Sequence, residues 1–396
     1  MGQTPYLEVP LPVTNICHSA GEVTLRWGDC LGSIGFKIYT TTSLENPNWQ
    51  AMTDVETGLM RINPGEPGDH VFALGDTFVT VSGAADKRFY RIVAAKREEY
   101  LVIDLSGGSG ASSYPKTTLY AVPAGGWTDE YKTTKLVLRR LPVGKFWMGS
   151  PSEELGRLSN EDLHQVTLTQ DFHIGVFEVT QRQWELVMGT KPSYCNNATY
   201  YASRPVEQVT YNDIRGSSLG AQWPANNSVD ATSFMGKLRA KTGLTFDLPT
   251  EAQWEYACRA GTTTALNSGK NLTDQDQCPN LAEVGRYWYN GGSGYSQNCT
   301  TANATAKVGS YLPNAWGLYD MHGNVWDWCL DWYDAYGTSS VTDPKGATTG
   351  SLRLLRGGGW GAIASVCRSA CRNSISPNTV NSNTGFRACV LPAPVP

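Results

Sequence analysis

Residues up to about 96 alternate apolar and polar positions over short runs. Val23, Leu25 and Trp27 alternate with polar neighbours, Phe36, Ile38 and Tyr39 nearly do, and Phe89, Tyr90, Ile92 and Val93 form a further run. Turn clusters such as Glu45-Asn46-Pro47-Asn48 and Asn63-Pro64-Gly65 separate them. Short period-two runs at this spacing predict a small all-β sandwich of immunoglobulin or fibronectin type over 1–96. It reads as a spacer, with a carbohydrate-binding module as the alternative. Residues 105–115 have the Gly/Ser composition of a flexible linker. The segment 97–131 is therefore expected to connect two domains, although apolar runs near 100–105 and 136–138 leave open that both belong to the second.

From about residue 132 the periodicity changes. Thr180 is placed to N-cap a helix that ends at Gly189, and Thr250 to cap one that ends at Gly261. Trp184, Leu186, Met188, Trp254 and Cys258 supply their apolar faces. A third short helix is expected over Ser228–Lys241. The remainder is short strands and long polar loops, so the second domain, 132–396, is expected to be α+β.

Composition narrows the function. The chain has 396 residues, a net charge of -4 and 17% charged residues. That balance excludes binding by phosphate neutralisation, so no nucleic-acid partner is expected. No apolar run has the length of a membrane span. The start, MGQTPYLEVP, has neither a basic nor an apolar leader region, so no signal peptide is expected in this chain. The 10 cysteines include no CxxC pair and no zinc spacing. Cys17–Cys30 and Cys278–Cys299 are the pairings considered, the others reading as buried small hydrophobes. The 5 histidines form no catalytic pattern, and His322 reads as structural. Glu153/Glu154 and Glu161/Asp162 read as solvated turns.

Six motifs occur in order: LPVGKFWMGSP (141–151), HIGVFEVTQRQWELVMG (173–189), RPVEQVTYND (204–213), FDLPTEAQWEYACRAG (246–261), PNAWGLYDMHGNVWDWCLDWY (313–333) and LRGGGW…CRSACRN…GFRAC (355–389). Together they resemble the sulfatase-modifying-factor domain of formylglycine-generating enzyme, over about residues 132–391. The resemblance implies a loop-rich α+β domain, a variant of the C-type lectin fold, here preceded by the β-sandwich. The motif residues themselves suit a scaffold. Trp316, Tyr319, Trp326 and Trp328 are large enough to fill a core where strands are short.

The oxidases that this chain resembles bind copper(I) through two thiols separated by four residues. Carried over, the first position falls at Ala362 and the second at Cys367. Alanine cannot ligate copper, and Cys371 offers only a different spacing, so copper and oxidase activity are not expected. The resemblance also implies a structural calcium ion, held by side-chain oxygens of Asp320 and Asp327 and carbonyls of Gly323 and Val325, all hard ligands. Asp327 is one methylene shorter than the family's glutamate.

Residues 361–384, GAIASVCRSACRNSISPNTVNSNT, contain no Lys, Gln, Glu, Met or Trp. Codons ending in C or T cannot encode those five. Ala364, Cys367 to Ala370, Arg372 and Pro377 read as framework. The intervening residues can all arise from Asn codons with replaced adenines. This resembles the variable proteins of diversity-generating retroelements, which display altered side chains on the same fold. It implies a diversified binding face of Gly361, Ala362, Ile363, Ser365, Val366, Cys371, Asn373, Ser374, Ile375, Ser376, Asn378, Thr379, Val380, Asn381, Ser382, Asn383 and Thr384, with Trp360 a fixed neighbour. The partner is then an unspecified protein or glycan, met outside the cell or at its surface. A fixed binding module and an oxidase with rearranged cysteines are the alternatives.

Overall fold

Thr180 accepts a hydrogen bond from the Gln183 backbone and returns one to the Gln183 side chain, closing a capping box on helix Gln181–Met188. Gly189 ends that helix in the left-handed conformation. Thr250 and Gln253 form the same box on helix Glu251–Arg259. Its left-handed cap is Ala260, one residue before the expected glycine. The third helix runs Phe234–Thr242, starting later than the pattern predicts because Ser233 supplies the cap.

The computed structural model describes residues 98–291 and 304–391 with their side chains, and the backbone of strands between 7 and 96. The chain divides into two units, Met1–Glu99 and Tyr100–Pro396. In the first, the strands form two antiparallel sheets of four. One has the order Leu7–Leu11, Phe89–Lys96, Ser33–Thr41, Gln50–Ala51. The other has the order Val13–Ser19, Glu22–Trp27, Thr77–Ser82, Glu56–Gly58. The packing of this unit and the Cys17–Cys30 pairing lie outside the described residues.

The second unit is mixed α+β. A six-stranded antiparallel sheet has the order Lys116–Leu119, Tyr100–Asp104, Lys135–Leu141, Phe172–Gly175, Cys389–Val390, Phe246–Asp247. The segment 97–131, read from sequence as a connector, thus supplies two of its strands. Its Gly/Ser stretch is held by Tyr114, whose buried hydroxyl donates to the carbonyls of Gly108 and Leu186. A four-stranded sheet has the order Arg372–Ile375, Arg353–Arg356, Trp326–Trp332, Thr384–Gly385, the last pair parallel. A three-stranded sheet joins Gly144–Met148, His164–Leu168 and Val341–Thr342.

Helix Gln181–Met188 packs Trp184 flat on Phe234 at 5.2 Å, and Phe386 stands edge-on to both rings. Trp328 is fully buried in the same cluster, and Trp254 and Leu318 fill a second one. The irregular chain between these clusters is pinned by buried ion pairs. Arg215 and Arg239 share Asp247, and Arg356 bonds Glu255. Leaving such a charge unpaired inside a protein costs several kcal/mol.

Candidate ligand-binding face

Each arginine of the C-terminal segment points inward. Arg368 is fully buried and bonds Glu161 and Glu154, and Arg372 bonds Glu251 through two nitrogens. Glu161 and Glu154 are therefore not on solvated turns: Arg368 draws Glu161 entirely out of solvent. Burial also raises the Glu154 carboxyl above its ordinary range. Gly358 lies where a Cβ would sit 2.5 Å from Cys367 Sγ, so the chain passes that thiol only as glycine.

His322 ties the Gly317–Trp328 stretch to the same segment. Its Nδ1 contacts the Cys367 carbonyl at 2.7 Å, and its Nε2 accepts from Asn267 N at 3.0 Å. A carbonyl only accepts, so Nδ1 carries the proton and the ring is neutral. Burial, with Arg259 adding to it, pushes His322 down to about 4.

The sequence-derived face residues divide by burial. Gly361, Ile363, Asn373, Ser376, Asn378, Val380 and Asn381 are exposed. Trp360, Ala362, Ser365, Val366, Ser374, Ile375, Thr379, Ser382 and Asn383 are half-buried. Cys371 and Thr384 are buried and do not belong to a face. Cys371 sits in the main apolar cluster, and Thr384 forms the short strand beside Trp326. Trp360 joins the two halves of the segment, its indole donating to the Ser382 carbonyl at 3.0 Å.

The segment is fastened mainly by its backbone. Carbonyls of Ala362, Pro377, Asn381 and Asn383 accept from the amides of Trp288, Asn212, Gln208 and Trp326. Amides of Ala364 and Ser365 donate to the carbonyls of Asp276 and Gln275. Arg356 donates to the carbonyls of Ser369, Ala370 and Cys371. Two fixed residues at the rim escaped the sequence reading. Gln208 holds Asn381 from a left-handed backbone (φ 59), and the Asn212 side chain bonds that of Asn378. No local pattern marks them, because their contacts lie far away in the chain.

The thiols are placed for packing. Cys367 and Cys371 are both buried, in different apolar clusters. Burial pushes Cys371 up to about 12 and Cys367 higher still. Cys278 is a free buried thiol, so the Cys278–Cys299 pairing does not form. Cys195, read from the sequence as a buried small hydrophobe, is instead disulfide-bonded.

Asp320, Asp327 and Glu178 are buried, and the two aspartates act electrostatically on the glutamate. Asp320 Oδ2 accepts from Gly309 N, and Asp327 Oδ2 from Trp254 and Arg387. The second oxygen of each, Asp320 Oδ1 and Asp327 Oδ1, is buried without a hydrogen bond. Burial pushes Asp320 up to about 6. Burial and then the charges of Asp320 and Asp327 hold Glu178 well above its usual range. Gly323 and Val325 lie on the intervening turn, where their amides donate to Gly357 O and Glu178. Among the described residues no three His, Cys, Asp or Glu side chains are grouped to hold a metal.

The sulfatase-modifying factor enzyme 1-like domain matches residues 128–391. The chain belongs to this family. It is 32% identical over 285 residues to a formylglycine-generating enzyme of Streptomyces coelicolor, covering 63% of this chain and 87% of that protein. It is 30% identical over 247 residues to the chaperone protein LppX of Paenibacillus barcinonensis, covering 56% and 80%. Among solved structures it resembles Treponema denticola variable protein 1, at 28% identity and a TM-score of 0.52, covering 65% of this chain and 96% of that one. The family thus includes formylglycine-generating enzymes alongside proteins named for other roles. No helix among the described residues is long and apolar enough to cross a membrane.

Proposed function

We propose that this domain is a non-catalytic ligand-binding protein whose exposed positions between Gly361 and Asn383 form a replaceable face for protein or glycan ligands. The observation that carries this reading is the manner of attachment. Main-chain bonds and inward arginines fasten the segment to the rest of the domain, whereas of its exposed side chains Asn378 bonds Asn212, and Asn373 and Asn381 bond amides within the segment itself. A rigid frame carrying uncommitted side chains is what a diversified surface requires. The likeness to a variable protein supports it. Sequencing the flanking DNA tests it: a reverse-transcriptase gene and a near-copy of the 3′ end with Asn codons are expected. Their absence defeats diversification.

The 32% identity to a formylglycine-generating enzyme favours a second reading, a copper-dependent enzyme of that kind with rearranged thiols. Ala362 offers no ligand atom, and burial holds the thiols of Cys367 and Cys371 in the protonated form, which does not ligate copper. Incubation with copper(I) and a Cys-x-Pro-x-Arg peptide is expected to yield no aldehyde. Aldehyde that disappears in Cys367→Ala would reverse the assignment. Calcium fits the unpartnered oxygens of Asp320 and Asp327, with carbonyls such as those of Gly323 and Val325 completing its ligands. Bound there, the ion would neutralise buried negative charge and brace the turn.

A further inference from the structure

The outer surface of the three-stranded sheet has a different chemistry. Strands Gly144–Met148 and His164–Leu168 are antiparallel, with Lys145 opposite Thr167 and Trp147 opposite Gln165. Thr167 in turn pairs with Thr342. Alternation sends Phe146 and Val166 into the second apolar cluster, where Phe146 meets Tyr256 at 5.3 Å. It turns Lys145, Trp147, Gln165, Thr167 and Thr342 toward solvent. Trp147 is 51% exposed. The nearby Asp343 carboxylate is occupied by Thr169.

We propose that this face binds carbohydrate, with Trp147 stacking on one pyranose ring and Gln165 and Thr167 bonding its hydroxyls. The ring's C–H bonds present weak positive charge to the electron-rich indole face. Flat contact collects dispersion from many atom pairs. An amide and a hydroxyl together offer both donors and acceptors to sugar hydroxyls. The indole stands on a paired strand whose inner side is packed, so little ordering cost is left for binding. Size argues against a protein occupant. Two strands of five residues and a third of two, about 4.8 Å apart, present on the order of 110 Å². A stable protein interface needs roughly 800 Å² per partner. The site is independent of the C-terminal face.

Isothermal titration of the full chain with cellohexaose, xylohexaose, chitohexaose and mannohexaose tests this. At least one is expected to bind. Trp147→Ala should weaken it about tenfold or more, as loss of a central aromatic does. Trp147→Phe should retain part of the affinity, and Gln165→Ala should weaken it several-fold. Substitutions at Asn378 and Val380 should leave it unchanged. If none of the four sugars binds, or if binding is the same in Trp147→Ala, the site does not exist. If Trp147→Ala instead turns an oligomer into a monomer on sedimentation, the face joins copies of the chain and the proposal is overturned.

Discussion

Arg368 grips Glu161 with both terminal guanidinium nitrogens, at 2.8 and 2.7 Å, across 207 residues of sequence. The same guanidinium reaches Glu154 and the Gly156 carbonyl. One buried side chain therefore fastens the 151–161 loop to the root of the candidate face. Its fork geometry suits a carboxylate and cannot be copied by lysine.

Removing that side chain strands two carboxylates in the interior. Arg368→Met is expected to cost about 3–5 kcal/mol in urea denaturation. Adding Glu161→Gln and Glu154→Gln should recover part of the loss. A cost below about 1 kcal/mol would mean the pair contributes nothing net.

His322 should make stability depend on acid. Its folded value near 4 lies below the ordinary 6.5, so between those values the unfolded chain binds more protons. The contribution is complete above pH 6.5 and is lost as pH falls toward 4. The gap corresponds to on the order of 3 kcal/mol. Denaturation curves from pH 7 to 4 should fall more steeply for the natural chain than for His322→Asn. Parallel curves would show that the imidazole is not buried neutral.

Burial separates the face positions into two groups with different tolerance. Asn373→Tyr, Asn378→Tyr and Val380→Tyr should each change stability by no more than about 0.5 kcal/mol. Cys371→Tyr and Thr384→Tyr force a ring into packed space and should cost roughly 1–3 kcal/mol or more. Equal losses across both groups in thermal melts would contradict a backbone-held segment.

Calcium should raise the melting temperature, and a chelator should lower it. At a hundredfold excess over Kd a single site contributes about 2.7 kcal/mol. Asp320→Asn removes one of the two carboxylates that keep an unbonded oxygen and should abolish the response. A melt indifferent to calcium and chelator would leave the buried acids without an ion.

The features legible in the sequence are those whose cause is local. Thr180 and Gln183 cap each other three residues apart, and Trp328 fills the core because nothing smaller would. The arginine and cysteine framework of the last segment could be separated from its surroundings by composition alone. What stayed hidden depends on distant partners. The Gly/Ser stretch has linker composition, yet Tyr114 ties it to Leu186 and Lys241. Glu161 looks solvated until Arg368 is placed beside it. Cys371 and Thr384 share the composition of the variable positions, and only burial in the cluster and sheet pairing remove them from the surface.

Strand Trp326–Trp332 pairs with Arg353–Arg356 on one side and with Thr384–Gly385 on the other. The excursion between those two short strands thus leaves and rejoins the same strand, and its end points do not depend on the path between. Extra residues inserted among Ser376–Asn383 would add loop-closure entropy of about 0.6 kcal/mol for each doubling of length, besides any of the bonds at Pro377, Asn381, Ser382 and Asn383 that they displace. On the proposed reading, length joins side-chain identity as a second way of reshaping the face.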